Sequence, residues 1–154
     1  MKKIAVFPGS FDPITTGHED IVIRGLSIFD HIIIAIGENI NKKSFFSLEQ
    51  RLLFLRKTFE KYDNISIESF EGLTVNFCKS KNSNFILRGL RTSADFEYER
   101  SIGQVNKQIY PEIETVFILS KPHLTSINSS IVRDLIKHNG NPKPFTPTAI
   151  HSLL

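Results

Sequence analysis

The stretch IAVFPGSFDPITTGHEDIV, residues 4–22, joins an apolar run to a helical pattern through a loop rich in Gly, Pro, Ser and Thr. The run Ile4–Phe7 is β-branched and apolar enough to form a buried strand. A helix is predicted from Glu19 to Phe29, because apolar residues there recur on one face. A strand that leads through a polar loop into a helix is the repeating unit of α/β folds. His18 stands immediately before this predicted helix.

The same alternation continues along the chain and predicts the fold class. Five strands that alternate with helices favour an α/β fold, a doubly wound Rossmann-like sheet of about five parallel strands with helices on both faces. We expect a stripe of apolar residues to bury the long fourth helix, namely Phe96, Ile102, Val105 and Ile109. The other predicted strands are 32–36, 65–67, 85–87 and 116–119. The other predicted helices begin near Ser47, Thr74, Thr92, Asn128 and Thr146.

Composition indicates one globular domain over residues 1–154. The chain is 40% hydrophobic and 23% charged, and it has neither an apolar run long enough to cross a bilayer nor the pattern of a signal peptide. Its single cysteine, Cys78, excludes an intramolecular disulfide, so we expect a cytoplasmic protein and a buried thiol. The net charge of +3 is scattered along the chain, so we expect neither nucleic acid nor a membrane as a partner.

Ligands of parallel α/β sheets bind beyond the carboxyl ends of the strands, which directs attention to four loops. These loops are 8–17, 37–46, 88–92 and 120–128. The first has no P-loop spacing, and the chain has no Gly-x-Gly-x-x-Gly. What it does have is a group of hydrogen-bond donors at a helix end, where anions bind: Ser10, Thr15, Thr16, Gly17 and His18. The alternative is a capped turn with a surface histidine.

Two further loops carry groups that suit phosphate. ILRGLRTSADFEYE, residues 86–99, places Arg88 and Arg91 at a strand end, with Gly89 letting the backbone turn. TSINSSIVRD, residues 125–134, places amide and hydroxyl groups at a helix start, where the dipole is positive. The alternatives are surface pairing of the arginines with Asp95, Glu97 or Glu99, and ordinary helix capping.

Together these stretches resemble bacterial phosphopantetheine adenylyltransferases over essentially the whole chain. The Thr-x-Gly-His stretch alone indicates only the wider nucleotidyltransferase superfamily, whereas its combination with RGLR and DFEYE is far more specific. The matching stretches are residues 9–18, the loop of Lys42 with Leu48-Glu49 after it, residues 88–91 and residues 95–99.

The resemblance implies that the adenylyl group of ATP is transferred to 4'-phosphopantetheine, giving dephospho-coenzyme A and pyrophosphate. The acceptor phosphate would attack the α-phosphorus in line, and His18 would stabilise the transition state as the catalytic residue. Mg²⁺ would be held mainly by the ATP phosphates and not by protein ligands. The resemblance also implies a homohexamer and makes coenzyme A a candidate feedback ligand.

The resemblance further assigns binding residues by position. Three positions depart from the family pattern. Ser10 stands where many members have Thr, Thr74 stands where an apolar residue is frequent, and Asn128 replaces the first serine of a typical Ile-Ser-Ser-Ser run. The implied ATP site comprises Ser10, Phe11, His18, Gly89, Leu90, Arg91, Glu99, Leu124, Thr125, Ser126, Ile127, Asn128, Ser129 and Ser130. The implied phosphopantetheine site comprises Ser10, Lys42, Thr74 and Arg88.

Three other functions are compatible with parts of the pattern. A transferase for another acceptor, such as glycerol phosphate or nicotinamide mononucleotide, would share the Thr-x-Gly-His stretch but not RGLR and DFEYE. A nucleotide-sensing module without catalysis is disfavoured because His18, Lys42, Arg88 and Arg91 are all present. RNA binding is disfavoured by the diffuse charge.

Overall fold

The computed structural model describes residues 1–154 and contains one sheet of five parallel strands in the order β3-β2-β1-β4-β5. The predicted α/β sheet is therefore confirmed. The strands are β1 (Ile4–Gly9), β2 (His31–Glu38), β3 (Ile65–Glu71), β4 (Phe85–Leu90) and β5 (Glu114–Leu119). The helices are α1 (Thr16–Gly25), α2 (Leu48–Phe59), α3 (Thr74–Ser80), α4 (Ser93–Ile109) and α5 (Ser129–Lys137). Short 3-10 helices follow at Pro122–Leu124, Lys143–Phe145 and Thr148–Ile150.

The central strands β1 and β2 have apolar residues on both faces because the sheet is covered on both sides. Ala5 and Phe7 of β1 point into a core that also contains side chains of α1 and α2. Val6, between them, points into a second core on the opposite face, together with Phe77 and Cys78 of α3. Cys78 is fully buried and free, as expected.

The order of the strands reverses at β1, which pairs with β2 on one side and with β4 on the other. The connections that leave β1 and β4 therefore diverge at their carboxyl ends. Such a divergence leaves a crevice at the switch point of a doubly wound sheet. The candidate site lies in this crevice.

Two element boundaries differ from the sequence expectation in ways that matter for the site. Helix α1 begins at Thr16 and not at Glu19, so His18 lies inside its first turn. Strand β4 runs through Leu90, so Gly89 lies in a strand and makes no turn. A side chain is excluded there by packing, because a Cβ on Gly89 would lie 2.9 Å from Cγ1 of Ile21.

The predicted apolar stripe of α4 is wrong for the single chain. Glu99 is the only buried residue of this helix, and it faces Arg88 on β4. Contacts of Phe96 with Phe117 and of Gly103 with Thr115 show that the sheet-facing side runs through 96, 99 and 103. The rest of the stripe is not buried against the sheet. Phe96, Ile102, Val105 and Ile109 are 39%, 39%, 54% and 44% exposed.

The C-terminal segment is part of the fold. Ile150 is fully buried in the core on the α1 and α2 face. No helix combines the length and apolarity that crossing a bilayer requires.

Candidate active site

A cavity of about 290 Å³ opens at the carboxyl ends of β1 and β4 and extends to the start of α5. We call it the nucleotide cavity. It brings together residues from three of the four loops that the sequence selected. The predicted site residues that line it are Ser10, Phe11, His18, Arg88, Gly89, Arg91, Glu99, Leu124, Ile127, Asn128 and Ser129.

His18 is held by a capping box at the start of α1. Its Nδ1 accepts a hydrogen bond from the backbone N–H of Thr15 at 3.0 Å, and the Thr15 hydroxyl accepts one from the backbone N–H of His18 at 3.3 Å. A histidine thus fills the position that Glu or Gln takes in the usual motif. Because Nδ1 is an acceptor here, the proton of a neutral imidazole must lie on Nε2.

The surroundings of His18 keep this imidazole neutral. Burial first, and then the positive charges of Arg88 and Arg91, lower the pKa of His18 to about 4. Phe11 packs edge-on against the ring, with centroids 5.1 Å apart, and its own backbone is left-handed with φ of 45°. At neutral pH the cavity therefore contains an oriented, uncharged N–H donor.

The two arginines of the RGLR motif are both ion-paired and both line the nucleotide cavity. Arg88 donates to both carboxylate oxygens of Glu99, from Nε at 2.8 Å and from Nη2 at 2.5 Å, and to the Pro8 carbonyl at 2.6 Å. Arg91 donates from Nε to Asp95 at 3.1 Å. The sequence left open whether these arginines pair with carboxylates or face the ligand site. In the structure they do both.

A second cavity of about 250 Å³ lies on the other side of Arg88, between β4, α3 and α4. We call it the acceptor cavity. Thr74 lines it together with Arg88 and Glu99, so two of the residues predicted to bind phosphopantetheine meet there. Its remaining walls include Gly37, Phe70, Ile102 and Asn106, a mixed surface suited to a ligand with both apolar and amide groups.

A third and wider opening of about 540 Å³ adjoins Ser10 and the start of α5. We call it the basic cleft, because its walls carry Lys42, Lys43, Arg133 and Lys137. Asp12 also lines it, but both of its carboxylate oxygens accept backbone N–H groups, from Phe45 and Phe46, at 2.8 Å. The cleft therefore presents an excess of positive charge.

Sequence reasoning missed Arg133 and Lys137. The pattern that could have found them is their spacing from Ser129, since residues four apart share one face of a helix. Arg133 donates to the Asp12 carbonyl at 2.8 Å and to the Ser130 hydroxyl at 3.1 Å. Ser129 donates to the Pro13 carbonyl at 2.8 Å. Helix α5 is thereby fastened to the loop that carries Ser10.

The predicted site residues thus divide among several surfaces. Lys42 and Ser130 lie in the basic cleft, with Ser10 and Ser129 shared between this cleft and the nucleotide cavity. Lys42 does not line the acceptor cavity with Arg88. Leu90 is buried within β4. Leu90, Thr125 and Ser126 line none of the three openings.

Comparison with known proteins identifies the family of the chain. The cytidylyltransferase-like family model matches residues 6–135. A phosphopantetheine adenylyltransferase from Cytophaga hutchinsonii is 49% identical over 150 residues, which are 97% of this chain and 100% of that protein. One from Christiangramia forsetii is 51% identical over 97% of this chain and 98% of that protein. The chain belongs to the phosphopantetheine adenylyltransferase family.

Solved structures with lower identity show the same fold. A bifunctional NMN adenylyltransferase/ADP ribose pyrophosphatase from Francisella tularensis, complexed with AMP and a manganese ion, superimposes with a TM-score of 0.69 at 21% identity. The match covers 96% of this chain and 45% of that one. The NadR protein in complex with NAD and AMP-PNP gives a TM-score of 0.66 at 15% identity, over 97% and 46% of the two chains.

Proposed function

We propose that this protein transfers the adenylyl group of ATP to 4'-phosphopantetheine, giving dephospho-coenzyme A and pyrophosphate. The observation that carries the proposal is the neutral imidazole of His18, held through Nδ1, in one cavity with Arg88 and Arg91. Identities of about half the residues to phosphopantetheine adenylyltransferases, over nearly full length, support the choice of acceptor.

The reaction joins two polyanions and needs no general base. A phosphomonoester loses most of its second proton by neutral pH, since that pKa is about 6. One of its oxygens forms a bond to the α-phosphorus of ATP, while the bond from that phosphorus to the bridging oxygen breaks and pyrophosphate leaves. The His18 Nε2–H donates to an α-phosphate oxygen, whose negative charge grows in the transition state. With its pKa at about 4, His18 acts by hydrogen bonding and not by proton transfer.

The three openings divide the substrates. The base and ribose of ATP occupy the nucleotide cavity beside Leu124 and Ile127, and its triphosphate tail enters the basic cleft toward Arg133 and Lys137. The pantetheine arm occupies the acceptor cavity beside Thr74. Its phosphate then lies between Arg88 and Lys42, near Ser10. Holding both reactants in line is itself a large part of such catalysis.

Mg²⁺ fits this site as a companion of the nucleotide. The two carboxylates that line the nucleotide cavity, Glu99 and Asp95, are engaged by Arg88 and Arg91. No group of three His, Cys, Asp or Glu side chains is assembled that could enclose a metal ion. Phosphate oxygens are therefore its principal ligands, and Mg²⁺ usually binds in this way, neutralising charge on the transferring group.

The test is acceptor-dependent release of pyrophosphate from ATP and Mg²⁺. We expect release with 4'-phosphopantetheine, and much less with pantetheine, nicotinamide mononucleotide or glycerol phosphate at equal concentration. Release with one of the other phosphates alone would reassign the acceptor. ATP binding without release for any acceptor would favour the nucleotide-sensing module.

We also propose a homohexamer, supported by the outward stripe of α4. Ile102, Val105 and Ile109 leave an apolar strip exposed on the single chain, which is typical of a subunit contact. Light scattering should give the mass of six chains, and Val105→Glu should lower it. Lys107→Glu, on the same helix but paired with Glu114, is the matched control. A monomer at working concentration would contradict the proposal.

A further inference from the structure

Arg51 carries a buried positive charge that no carboxylate offsets. It lies in the first turn of α2 and is 6% exposed. Its Nη1 donates to the Ser10 carbonyl at 2.8 Å, while its Nε is buried without a hydrogen-bond partner. None of the protein's ion pairs includes it. Because an uncompensated buried charge is costly, an anion bound beside Arg51 would stabilise this arrangement.

The structure provides room for an anion at this point. A small cavity of about 130 Å³ is bounded by Arg51, Lys42 and the hydroxyl-bearing Ser10 and Ser44. Glu38 also lines it but makes no ion pair with either cation. Two cations and two hydroxyl groups around a small space are a donor set suited to one phosphoryl group.

The position of this small cavity identifies which phosphoryl group it takes. Gly37 belongs both to the small cavity and to the acceptor cavity. Ser10 belongs both to the small cavity and to the nucleotide cavity. The small cavity thus lies where the end of an acceptor arm would meet the α-phosphate. The small cavity shares Ser10, Lys42 and Ser44 with the basic cleft. It differs in having Arg51, whereas Arg133 and Lys137 line only the cleft and remain for the triphosphate tail.

We propose that Arg51 joins Lys42 and Arg88 in the subsite for the phosphate of the acceptor, as a residue that binds this phosphate. It holds the Ser10 backbone through its hydrogen bond and supplies the charge that a phosphomonoester dianion compensates. This inference rests on the proposed function. It accounts for a guanidinium that is buried beside a small cavity without a carboxylate partner.

The test compares two acceptors that differ by one phosphate. Calorimetry measures the affinities of 4'-phosphopantetheine and pantetheine for the wild type, for Arg51→Gln and Arg51→Met, and for Arg51→Lys. We expect both neutral variants to lower the preference for the phosphorylated form about tenfold, the effect of losing one charge-assisted contact. Arg51→Lys should restore part of that preference. Affinities for pantetheine and for ATP should change by less than about twofold.

Arg56 provides the matched control, because it is an exposed arginine on the same helix. Arg56→Gln should keep the wild-type preference. A neutral variant of Arg51 with the wild-type preference, or with an equal loss for ATP, would overturn the inference, and so would the failure of both neutral variants to fold. If wild type neither prefers the phosphorylated acceptor nor releases pyrophosphate, the proposed function itself fails. If it does both, only the role of Arg51 is in question.

Discussion

The cations at the edge of the sheet fall into two groups that differ in what holds them. Those of the nucleotide cavity, Arg88 and Arg91, are fixed by Glu99 and Asp95. Those of the basic cleft have no carboxylate partner at all. They are Lys42, Lys43, Arg133 and Lys137.

The two groups of cations therefore contribute differently to the binding of phosphate groups. A paired arginine contributes directed donors and little net charge, whereas an unpaired lysine contributes charge with little fixed geometry. We therefore expect the nucleotide cavity to orient the atoms that react, and the basic cleft to attract the polyphosphate of ATP. Substitutions in the first region should act mainly on turnover or on a single substrate. Those in the second should act on ATP affinity and on its dependence on salt, except at Lys42, which also borders the small cavity proposed for the acceptor phosphate.

The strongest test of this division is His18→Ala. Loss of one donor to the growing charge costs on the order of a factor of 10² to 10³ in turnover. We expect that loss in kcat, measured by pyrophosphate release, with little change in ATP affinity measured by calorimetry. His123→Ala removes an exposed histidine from the neighbouring 3-10 helix and should behave like wild type. A fall in ATP affinity as large as the fall in kcat would place His18 with the binding cations instead.

Most of the nucleotide cavity could be predicted from the sequence. The stretch around His18 and the RGLR motif carry local patterns, and the rule that ligands bind at strand ends brings their loops together. The capping box around His18 was not predicted, because the motif usually has Glu or Gln at that position. Nor could the sequence predict which of the cations are ion-paired and which are not. Whether Arg88 faces Glu99 depends on how α4 lies on the sheet, and local periodicity does not determine that.

The second prediction concerns Arg88, which borders both the nucleotide cavity and the acceptor cavity. If the proposed function holds, Arg88→Ala removes a charge-assisted contact to the acceptor phosphate, worth about 1.5–3 kcal/mol, so the KM for the acceptor should rise roughly 10- to 100-fold. The KM for ATP should rise less. Arg100→Ala, on the exposed side of α4 beside Glu97, is the control. Equal losses for both substrates would show that Arg88 supplies a general field, like the cations of the basic cleft.

The third prediction addresses the basic cleft through Lys137, which lies 5.9 Å from the centre of the Phe45 ring. Lys137→Met keeps a similar apolar stem and removes the charge. Since one exposed charge contributes about 0.2–1 kcal/mol, we expect the KM for ATP to rise by up to about fivefold and to become less sensitive to salt. Lys57→Met, at the far end of α2, should leave both unchanged. A change in kcat with no change in salt sensitivity would contradict the assignment of charge to this cleft.

The last effect is on stability and not on kinetics, and it links the paired arginines to the neutral imidazole. With the pKa of His18 at about 4 in the folded chain and near 6.5 when unfolded, only the unfolded chain binds this proton between those values. The free energy of unfolding should therefore fall as pH drops through this range, by at most about 1.4 kcal/mol per pH unit.

His18→Gln is the control, because it keeps a capping-box acceptor without titrating. The pKa of His31 is also lowered, mainly by burial. Its contribution to the pH dependence cancels when the unfolding free energies of His18→Gln, measured in urea, are subtracted from those of wild type. The same pH dependence of stability in wild type and His18→Gln would show that His18 is not held neutral. A weaker pH dependence in Arg88→Ala would show that the paired arginines help to keep it neutral.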